Sequence, residues 1–259
     1  MPLLQNGPAL CHYRVHGYDD RPALFLSHSL GQDHGMWDLQ AEWFTPHFRV
    51  IRYDTRGHGA SGAPAGDYSV QDLGEDAIRL ADALGIDRFA FCGLSLGGMI
   101  AQQLALDYPA ATASLVLADT VCGVPPGAEA IAGEALRFIE THSMAEVAKT
   151  RITTAFTDAV DPVMRLHMIE AVALNDKDAY ERSARAAFKF SARQRLQDIA
   201  VPTLVVVGEG DRTFPLEWME ELATRIRGAR LVRLAGAGHI SSMERPREFN
   251  DALLGFLGV

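Results

Sequence analysis

One strand-to-helix junction constrains the fold of this chain more than any other segment. The apolar run Phe89-Ala90-Phe91-Cys92 passes into Gly93-Leu94-Ser95-Leu96-Gly97 and continues into residues that favour a helix. When a strand turns sharply into a helix, the backbones approach too closely for a Cβ two residues before and two residues after the apex. The pattern therefore predicts a tight turn that presents the Ser95 hydroxyl at one edge of a sheet.

Short apolar runs alternate with helical patterns along most of the chain. We predict buried strands at residues 23–28, 48–53, 89–93, 113–118, 202–207 and 229–234, and helices at 72–84, 95–106 and 246–257. This alternation is typical of an α/β fold with a mostly parallel sheet that is flanked by helices on both faces.

The alternation stops after Cys122. A Gly- and Pro-containing linker, residues 123–127, leads into helical segments rich in Ala, Glu and Arg, and no clear strand occurs before about Leu196. We therefore predict a core of residues 1–121 and 197–259 and a helical cap of residues 122–196. The alternative is that these are extra helices packed on one face of the sheet.

Composition limits the partners of the chain. The net charge of −9 argues against nucleic acid and against anionic membrane surfaces. The odd number of cysteines, without paired spacing, indicates free thiols and a cytoplasmic protein, and we find neither a signal peptide nor a membrane span. The absence of a metal-ligand spacing and of a dinucleotide-binding glycine pattern leads us to expect no metal and no cofactor. The oligomeric state stays open.

A serine hydroxyl needs a base, and the base needs an orienting acid, to become a nucleophile at neutral pH. On a sheet of this kind the three residues follow in the order serine, acid, histidine. Of nine histidines only His239 lies beyond the last predicted strands, on a Gly-rich loop that can deliver an imidazole to the sheet edge. We predict His239 as the base; the alternative is a structural histidine.

The acid is expected at the end of the preceding strand. Asp211 follows two glycines there and is the favoured candidate, Glu209 lies nearer the strand end, and Asp119, after the strand that ends at Ala118, is a further alternative.

Acyl transfer also requires donors for a developing oxyanion. The amide of Leu96, at a helix N-terminus, and the amide of Leu30, in the loop after an early strand, are the predicted donors. His28 is expected to organise this loop through hydrogen bonds. The hydroxyl of Ser29 either reaches the substrate or caps the turn.

The segment Asp54-Thr55-Arg56-Gly57-His58-Gly59 is rich in polar side chains but also in glycine, and it follows a strand. We interpret it as a structural turn held by an ion pair between Asp54 and Arg56.

With these features in place, the whole chain resembles the α/β-hydrolase superfamily, and its first hundred residues resemble the 3-oxoadipate enol-lactone hydrolases most closely. The resemblance lies in Leu26-Ser27-His28-Ser29-Leu30-Gly31-Gln32-Asp33-His34-Gly35-Met36-Trp37, in Arg52-Tyr53-Asp54-Thr55-Arg56-Gly57-His58-Gly59, and in the segment from Phe91 to Met99. That family usually has Asn in place of His28, and its cap differs from residues 122–196.

The resemblance implies a serine hydrolase that cleaves a small carboxylic ester or lactone through an acyl-enzyme, with 3-oxoadipate enol-lactone as one substrate to consider. A general carboxylesterase, a perhydrolase and a C–C bond hydrolase of the same fold are alternatives. A non-catalytic small-molecule receptor is a further alternative. A receptor of this kind would be recognised by the loss of one residue of the catalytic set, and all three residues are present.

Charge within the predicted cap suggests one more candidate feature. Acidic and basic residues are equal in number between Cys122 and Leu196, yet Arg182, Arg185, Lys189 and Arg193 fall on one face of a predicted helix. If Arg185 and Lys189 overlook the pocket, they favour an anionic substrate. The alternative is a solvated helix face.

Overall fold

The computed structural model describes residues 2–259, and its centre is one sheet of eight strands in the order β1-β2-β4-β3-β5-β6-β7-β8. The strands are β1 Leu3–Asn6, β2 Ala9–His16, β3 Ala23–Ser27, β4 Arg49–Tyr53, β5 Phe89–Leu94, β6 Thr112–Ala118, β7 Thr203–Gly208 and β8 Arg230–Leu234. β2 is antiparallel to β1 and to β4, and all other pairs are parallel. The predicted mostly parallel sheet is confirmed.

All six predicted strands are present as β3 to β8, and the sequence prediction missed β1 and β2. In β3, β5 and β7 every residue is buried, although successive side chains of a strand point to opposite faces. Both faces of the central sheet are therefore covered, as in other parallel sheets.

In the described residues 2–259, ten α-helices surround the sheet: α1 Asp38–Phe44, α2 Val70–Ala83, α3 Leu96–Asp107, α4 Glu129–Thr141, α5 Met144–Ala155, α6 Pro162–Ala173, α7 Lys177–Lys189, α8 Leu216–Arg225, α9 Ser241–Glu244 and α10 Pro246–Leu257. The three predicted helices correspond to α2, α3 and α10. Within residues 2–259 no helix combines the length and the apolar character needed to cross a bilayer.

Four consecutive helices, α4 to α7, lie between β6 and β7. The two chain segments that lead into and out of this insertion run side by side, because Gly123 and Ser191 form an antiparallel bridge and the Ala192 amide donates to the Cys122 carbonyl at 2.9 Å. The insertion therefore leaves the sheet and returns to it at one place.

The loops that follow β3, β5, β6, β7 and β8 leave the sheet at its carboxyl edge, because these strands are parallel. They carry, in order, Leu30, Ser95, Asp119, Asp211 and His239. The topology thus brings to one edge the residues that the sequence distributes over more than two hundred positions.

Candidate active site

Ser95 lies at the apex of the turn between β5 and α3, with φ +55° and ψ −110°, a conformation that is strained for a non-glycine residue. The turn is as tight as the sequence predicts. A Cβ on Gly93 would lie 2.0 Å from the carbonyl oxygen of Gly97, and a Cβ on Gly97 would lie 2.2 Å from that of Ser27. The Ser95 amide donates to the Ala118 carbonyl at 2.9 Å, which ties the apex to β6.

The structure brings Ser95, His239 and Asp211 into one hydrogen-bonded chain. His239 Nε2 lies 3.0 Å from Ser95 Oγ, and His239 Nδ1 lies 2.8 Å from Asp211 Oδ2. With its Nδ1–H donated to the carboxylate, the imidazole has its Nε2 lone pair free to accept the serine proton. All three side chains are buried, so the chain of hydrogen bonds is shielded from bulk water.

Backbone contacts hold the acid and the base in place. Asp211 Oδ1 accepts hydrogen bonds from the amides of Thr213 at 2.6 Å and Phe214 at 3.1 Å, which fixes the carboxylate. The His239 amide donates to the carbonyl of Ala155, the last residue of α5, at 2.7 Å. The insertion is therefore bonded directly to the loop that carries the histidine.

The two alternative acids take other positions. Glu209 is exposed. Asp119 is fully buried, but its oxygens accept hydrogen bonds from the Gly208 amide at 2.9 Å and from the Ser241 hydroxyl at 2.6 Å, and none comes from His239. Burial, and next the charge of Asp211, raise the pKa of Asp119 to about 7.

Two backbone amides face the cavity beside Ser95. Leu96 is the first residue of α3, so its amide has no partner inside the helix. Leu30 follows β3 and lines the same cavity as Ser95 and Leu96. Within residues 2–259 neither amide donates to a protein carbonyl or side chain, which leaves both available for an oxyanion.

His28 organises the loop that carries Leu30. Its Nδ1–H donates to the Ser29 carbonyl at 2.8 Å, and its Nε2 accepts from the Thr55 amide at 2.9 Å. Burial lowers the pKa of His28, so the neutral ring makes both bonds. The histidine thus links the loop after β3 to the loop after β4.

An apolar cavity of about 320 Å³ opens at Ser95. It is enclosed by side chains from α3, the loop after β6, the insertion, and α8 with the loop before it: Leu96, Met99, Val121, Val124, Ala128, Ile131, Ala132, Ala135, Ala187, Phe188, Phe214, Pro215 and Trp218. Its size and composition suit a small acyl group.

A second recess of about 170 Å³, lined by both polar and apolar side chains, lies on the side of His239. Ser29 lines it together with Leu30, so the structure places this predicted residue beside the site. Two residues that the sequence analysis did not single out, Gln32 and Arg151, also line the recess, and Arg151 lines the apolar cavity as well. Arg151 lies four residues after the buried Val147 and so on the same face of α5. A charged residue on the apolar face of a helix is the sequence signal that could have identified it.

The structure does not bring Arg185 and Lys189 to Ser95. Arg185 pairs with Glu140 and Glu181, each at 3.0 Å, and Lys189 is exposed. Neither lines the cavity or the recess. The spacing correctly placed both residues on one helix, α7, but that part of the helix surface faces acidic neighbours and solvent. The expectation that they overlook the pocket is corrected accordingly.

The turn after β4 forms a hydrogen-bonded network, although its partners differ from those expected. Asp54 accepts from the Nδ1 atoms of His12 and His34, both at 2.8 Å, while Arg56 pairs with Asp76 at 2.6 Å. The ion pair expected between Asp54 and Arg56 is thus replaced by two pairs with distant partners.

In the described part of the chain, His12, His34 and Asp54 are also the group whose ligand atoms are close enough to hold a metal ion, within 4.8 Å of one another. Both imidazoles already donate to the carboxylate, and Arg14 donates to His34 Nε2 at 3.2 Å. These bonds account for the arrangement as a structural network.

Comparison with known proteins agrees with this geometry. Residues 15–252 match the model of the alpha/beta hydrolase family. The chain is 34% identical over 246 residues to 3-oxoadipate enol-lactonase 2 of Acinetobacter baylyi, covering 93% of this chain and 91% of that protein. It is 30% identical to a putative carbamate hydrolase of Stutzerimonas stutzeri, covering 95% and 96%. The crystal structure of the enol-lactonase from Burkholderia xenovorans LB400 superposes with a TM-score of 0.94 at 33% identity, covering 100% of both chains. The chain belongs to the alpha/beta hydrolase family.

Proposed function

We propose that the protein is a serine hydrolase that cleaves a small carboxylic ester or lactone through an acyl-enzyme. The observation that carries this proposal is the chain of hydrogen bonds from Ser95 Oγ to His239 Nε2 at 3.0 Å and from His239 Nδ1 to Asp211 at 2.8 Å. A serine so placed has its base within reach and its base held in the required tautomer.

In this mechanism Ser95 Oγ attacks the substrate carbonyl while His239 Nε2 takes the serine proton. The negative charge that develops on the carbonyl oxygen is stabilised by the amides of Leu30 and Leu96. Asp211, held by two backbone amides, stabilises the imidazolium that forms.

His239 then gives its proton to the leaving oxygen, and the bond between that oxygen and the acyl carbon breaks. Water enters, His239 removes one of its protons, and the resulting hydroxide attacks the acyl-enzyme. The acid is released and Ser95 recovers its proton. For a lactone, the leaving oxygen stays attached to the acyl chain throughout, so a single ring-opened acid is released.

The apolar cavity of about 320 Å³ supports a small acyl portion, and the similarity to the Acinetobacter enol-lactonase supports a lactone such as 3-oxoadipate enol-lactone. Residues 122–196 act as the cap in this proposal, because they supply much of the cavity wall. The buried, unpaired thiols of Cys11, Cys92 and Cys122 support a reducing, cytoplasmic location.

Carbamate hydrolysis is a second candidate, favoured by the 30% identity to the putative carbamate hydrolase of Stutzerimonas. This reaction would use the same nucleophile and the same oxyanion donors, but the covalent intermediate on Ser95 would be a carbamoyl-enzyme.

The experiment is a substrate panel tested with the wild type and with Ser95→Ala. The panel contains 3-oxoadipate enol-lactone, short-chain para-nitrophenyl esters and a para-nitrophenyl carbamate. We expect Ser95→Ala to lower kcat by a factor on the order of 10⁴ or more on each substrate that the wild type turns over, with unchanged thermal unfolding.

Hydrolysis by Ser95→Ala at the wild-type rate would contradict the proposed nucleophile. A wild type that turns over the carbamate but neither esters nor lactone would favour the second candidate instead. As a control, Ser191→Ala removes an exposed hydroxyl that lines neither the cavity nor the recess, and we expect it to retain most of the activity.

A further inference from the structure

The lining of the candidate active site has an uncompensated positive charge. Within residues 2–259, Arg151 is the charged side chain that lines the apolar cavity, and the recess adds Arg212, while no aspartate or glutamate lines either space. This is notable in a chain whose net charge is −9. The lining of these two spaces therefore carries positive side chains and no negative ones, which favours anionic ligands.

The two arginines differ in their partners. Arg212 donates to the Phe156 carbonyl at 2.7 Å and pairs with Asp158 at 3.1 Å, so its charge is compensated. Within residues 2–259, half-buried Arg151 makes neither a hydrogen bond nor an ion pair with another residue. A partly desolvated guanidinium without an anion is costly, and an arriving carboxylate would relieve that cost.

Gln32 supplies a second, independent sign of a missing ligand. Its side chain is about 96% buried, it lines the recess beside Arg151, and its Nε2 has no hydrogen-bond partner. Buried polar atoms are almost always paired in folded proteins. Gln32 and Arg151 both line the recess, so each has a donor group to offer to a ligand oxygen placed there.

The position of the recess indicates which part of the substrate it receives. The apolar cavity is lined by Ser95 and Leu96 and so receives the acyl chain, whereas the recess is lined by His239. His239 gives its proton to the leaving oxygen, so the group attached to that oxygen lies on the side of the recess.

We propose that Arg151, with Gln32, binds a carboxylate carried on the leaving-oxygen side of the scissile bond, and so selects esters and lactones that are anionic at that end. This inference rests on the proposed function, because it assigns the two sides of the site from the role of His239. Arg151 is a specificity-determining residue in this scheme, and takes no part in proton transfer.

The test compares three butanoate-sized esters: para-nitrophenyl butanoate, the same ester with a carboxylate on the phenol ring, and para-nitrophenyl hemisuccinate, whose carboxylate lies on the acyl side. The variants are Arg151→Gln and Arg151→Lys, and the control is Lys149→Gln, which removes an exposed charge from the same helix. The measured quantity is kcat/KM for each ester, divided by that for the neutral ester.

We expect Arg151→Gln to lower the ratio for the ester with the ring carboxylate by about 10- to 100-fold, chiefly through KM, as expected for loss of a charge-assisted hydrogen bond. Arg151→Lys should restore part of the ratio, and Lys149→Gln should leave it unchanged. Equal losses on the neutral and ring-carboxylate esters, or a larger loss on the hemisuccinate, would overturn the proposal.

The failure of this inference is distinguishable from failure of the proposed function. Turnover of para-nitrophenyl butanoate by the wild type and its loss in Ser95→Ala test the nucleophile regardless of Arg151. A thermal-unfolding measurement on Arg151→Gln, compared with Arg151→Lys, separates a binding defect from a folding defect.

Discussion

Asp119 shows how one buried residue connects the elements of the site. Its carboxylate accepts hydrogen bonds from Gly208, at the end of β7, and from Ser241, just after the loop of His239. It has φ +44°, which is unusual for an aspartate. Asp119 therefore holds together the two loops that carry Asp211 and His239 without contacting the imidazole through a hydrogen bond.

The raised pKa of Asp119 predicts a pH-dependent stability. Its carboxyl has a pKa of 3.8 ordinarily and about 7 in the folded chain, because burial and then Asp211 disfavour its charge. Between these values the folded state holds a proton that the unfolded state has lost, so this group's contribution to stability falls as pH rises from 4 to 7 and is constant above that. The fall is about 1.4 kcal/mol per pH unit, up to about 4 kcal/mol.

Asp119→Asn removes this titration. We expect the free energy of unfolding of the wild type minus that of the variant to be largest near pH 4 and to decrease up to pH 7, measured by urea unfolding across this range. Ser191→Ala, which removes an exposed hydroxyl that does not titrate, is the control and should show a nearly constant difference. A constant difference for Asp119→Asn would mean that Asp119 ionises normally.

At the scale of elements, the turn between β5 and α3 depends on its glycines. A Cβ on Gly97 would lie 2.2 Å from the Ser27 backbone oxygen, and backbone cannot move aside as a flexible side chain can. We expect Gly97→Ala to reduce the free energy of unfolding by about 3 kcal/mol or more and to lower kcat by displacing Ser95. The measurements are chemical unfolding and turnover of a nitrophenyl ester.

The matched control for this change is Gly255→Ala. Gly255 lies inside α10, and a Cβ there would meet no atom within 4 Å, so alanine should stabilise the chain by up to about 1 kcal/mol. Equal effects of the two substitutions would show that steric crowding does not explain the glycine at position 97.

Most of the strands that the sequence predicted are more deeply buried than β1 and β2, which it missed. Strands β3 to β8 were found because most are continuous apolar runs. In contrast, β2 mixes buried, half-buried and exposed residues and includes His12 and Arg14, and β1 has only four residues. The site was predictable where topology dictates it, since loops at the carboxyl edge must converge. The direction in which the Arg185 side chain points was not predictable. Helical spacing shows which residues share a face, but it does not show which residues that face contacts.

Over the whole molecule, loops of the sheet carry the proposed reacting groups, and the insertion supplies half of the residues that line the apolar cavity. Ser95, Asp211 and His239 all come from loops of the sheet, while Arg151 and Phe188 belong to helices α5 and α7 of the insertion. Local sequence motifs describe the first set well, because a tight turn imposes its glycines. The second set depends on how four helices pack against each other and against the sheet, which no local pattern encodes.

This division predicts that acyl-chain preference can be changed from the insertion without altering the reacting groups. Phe188 lines the apolar cavity from α7, so Phe188→Ala should lengthen the cavity and move the optimum of kcat/KM toward longer acyl chains. Each further methylene that becomes buried should contribute about 0.8 kcal/mol, or about fourfold. The measurement is kcat/KM over a series of para-nitrophenyl esters from acetate to octanoate.

Phe138→Ala is the matched control, because Phe138 belongs to the same insertion and packs against the core, but does not line the cavity. It should lower thermal stability and leave the order of acyl-chain preference unchanged. If Phe138→Ala shifted the preference as much as Phe188→Ala did, the cause would be a general loosening of the insertion. If neither shifted it, the acyl chain would have to lie outside the cavity that opens at Ser95.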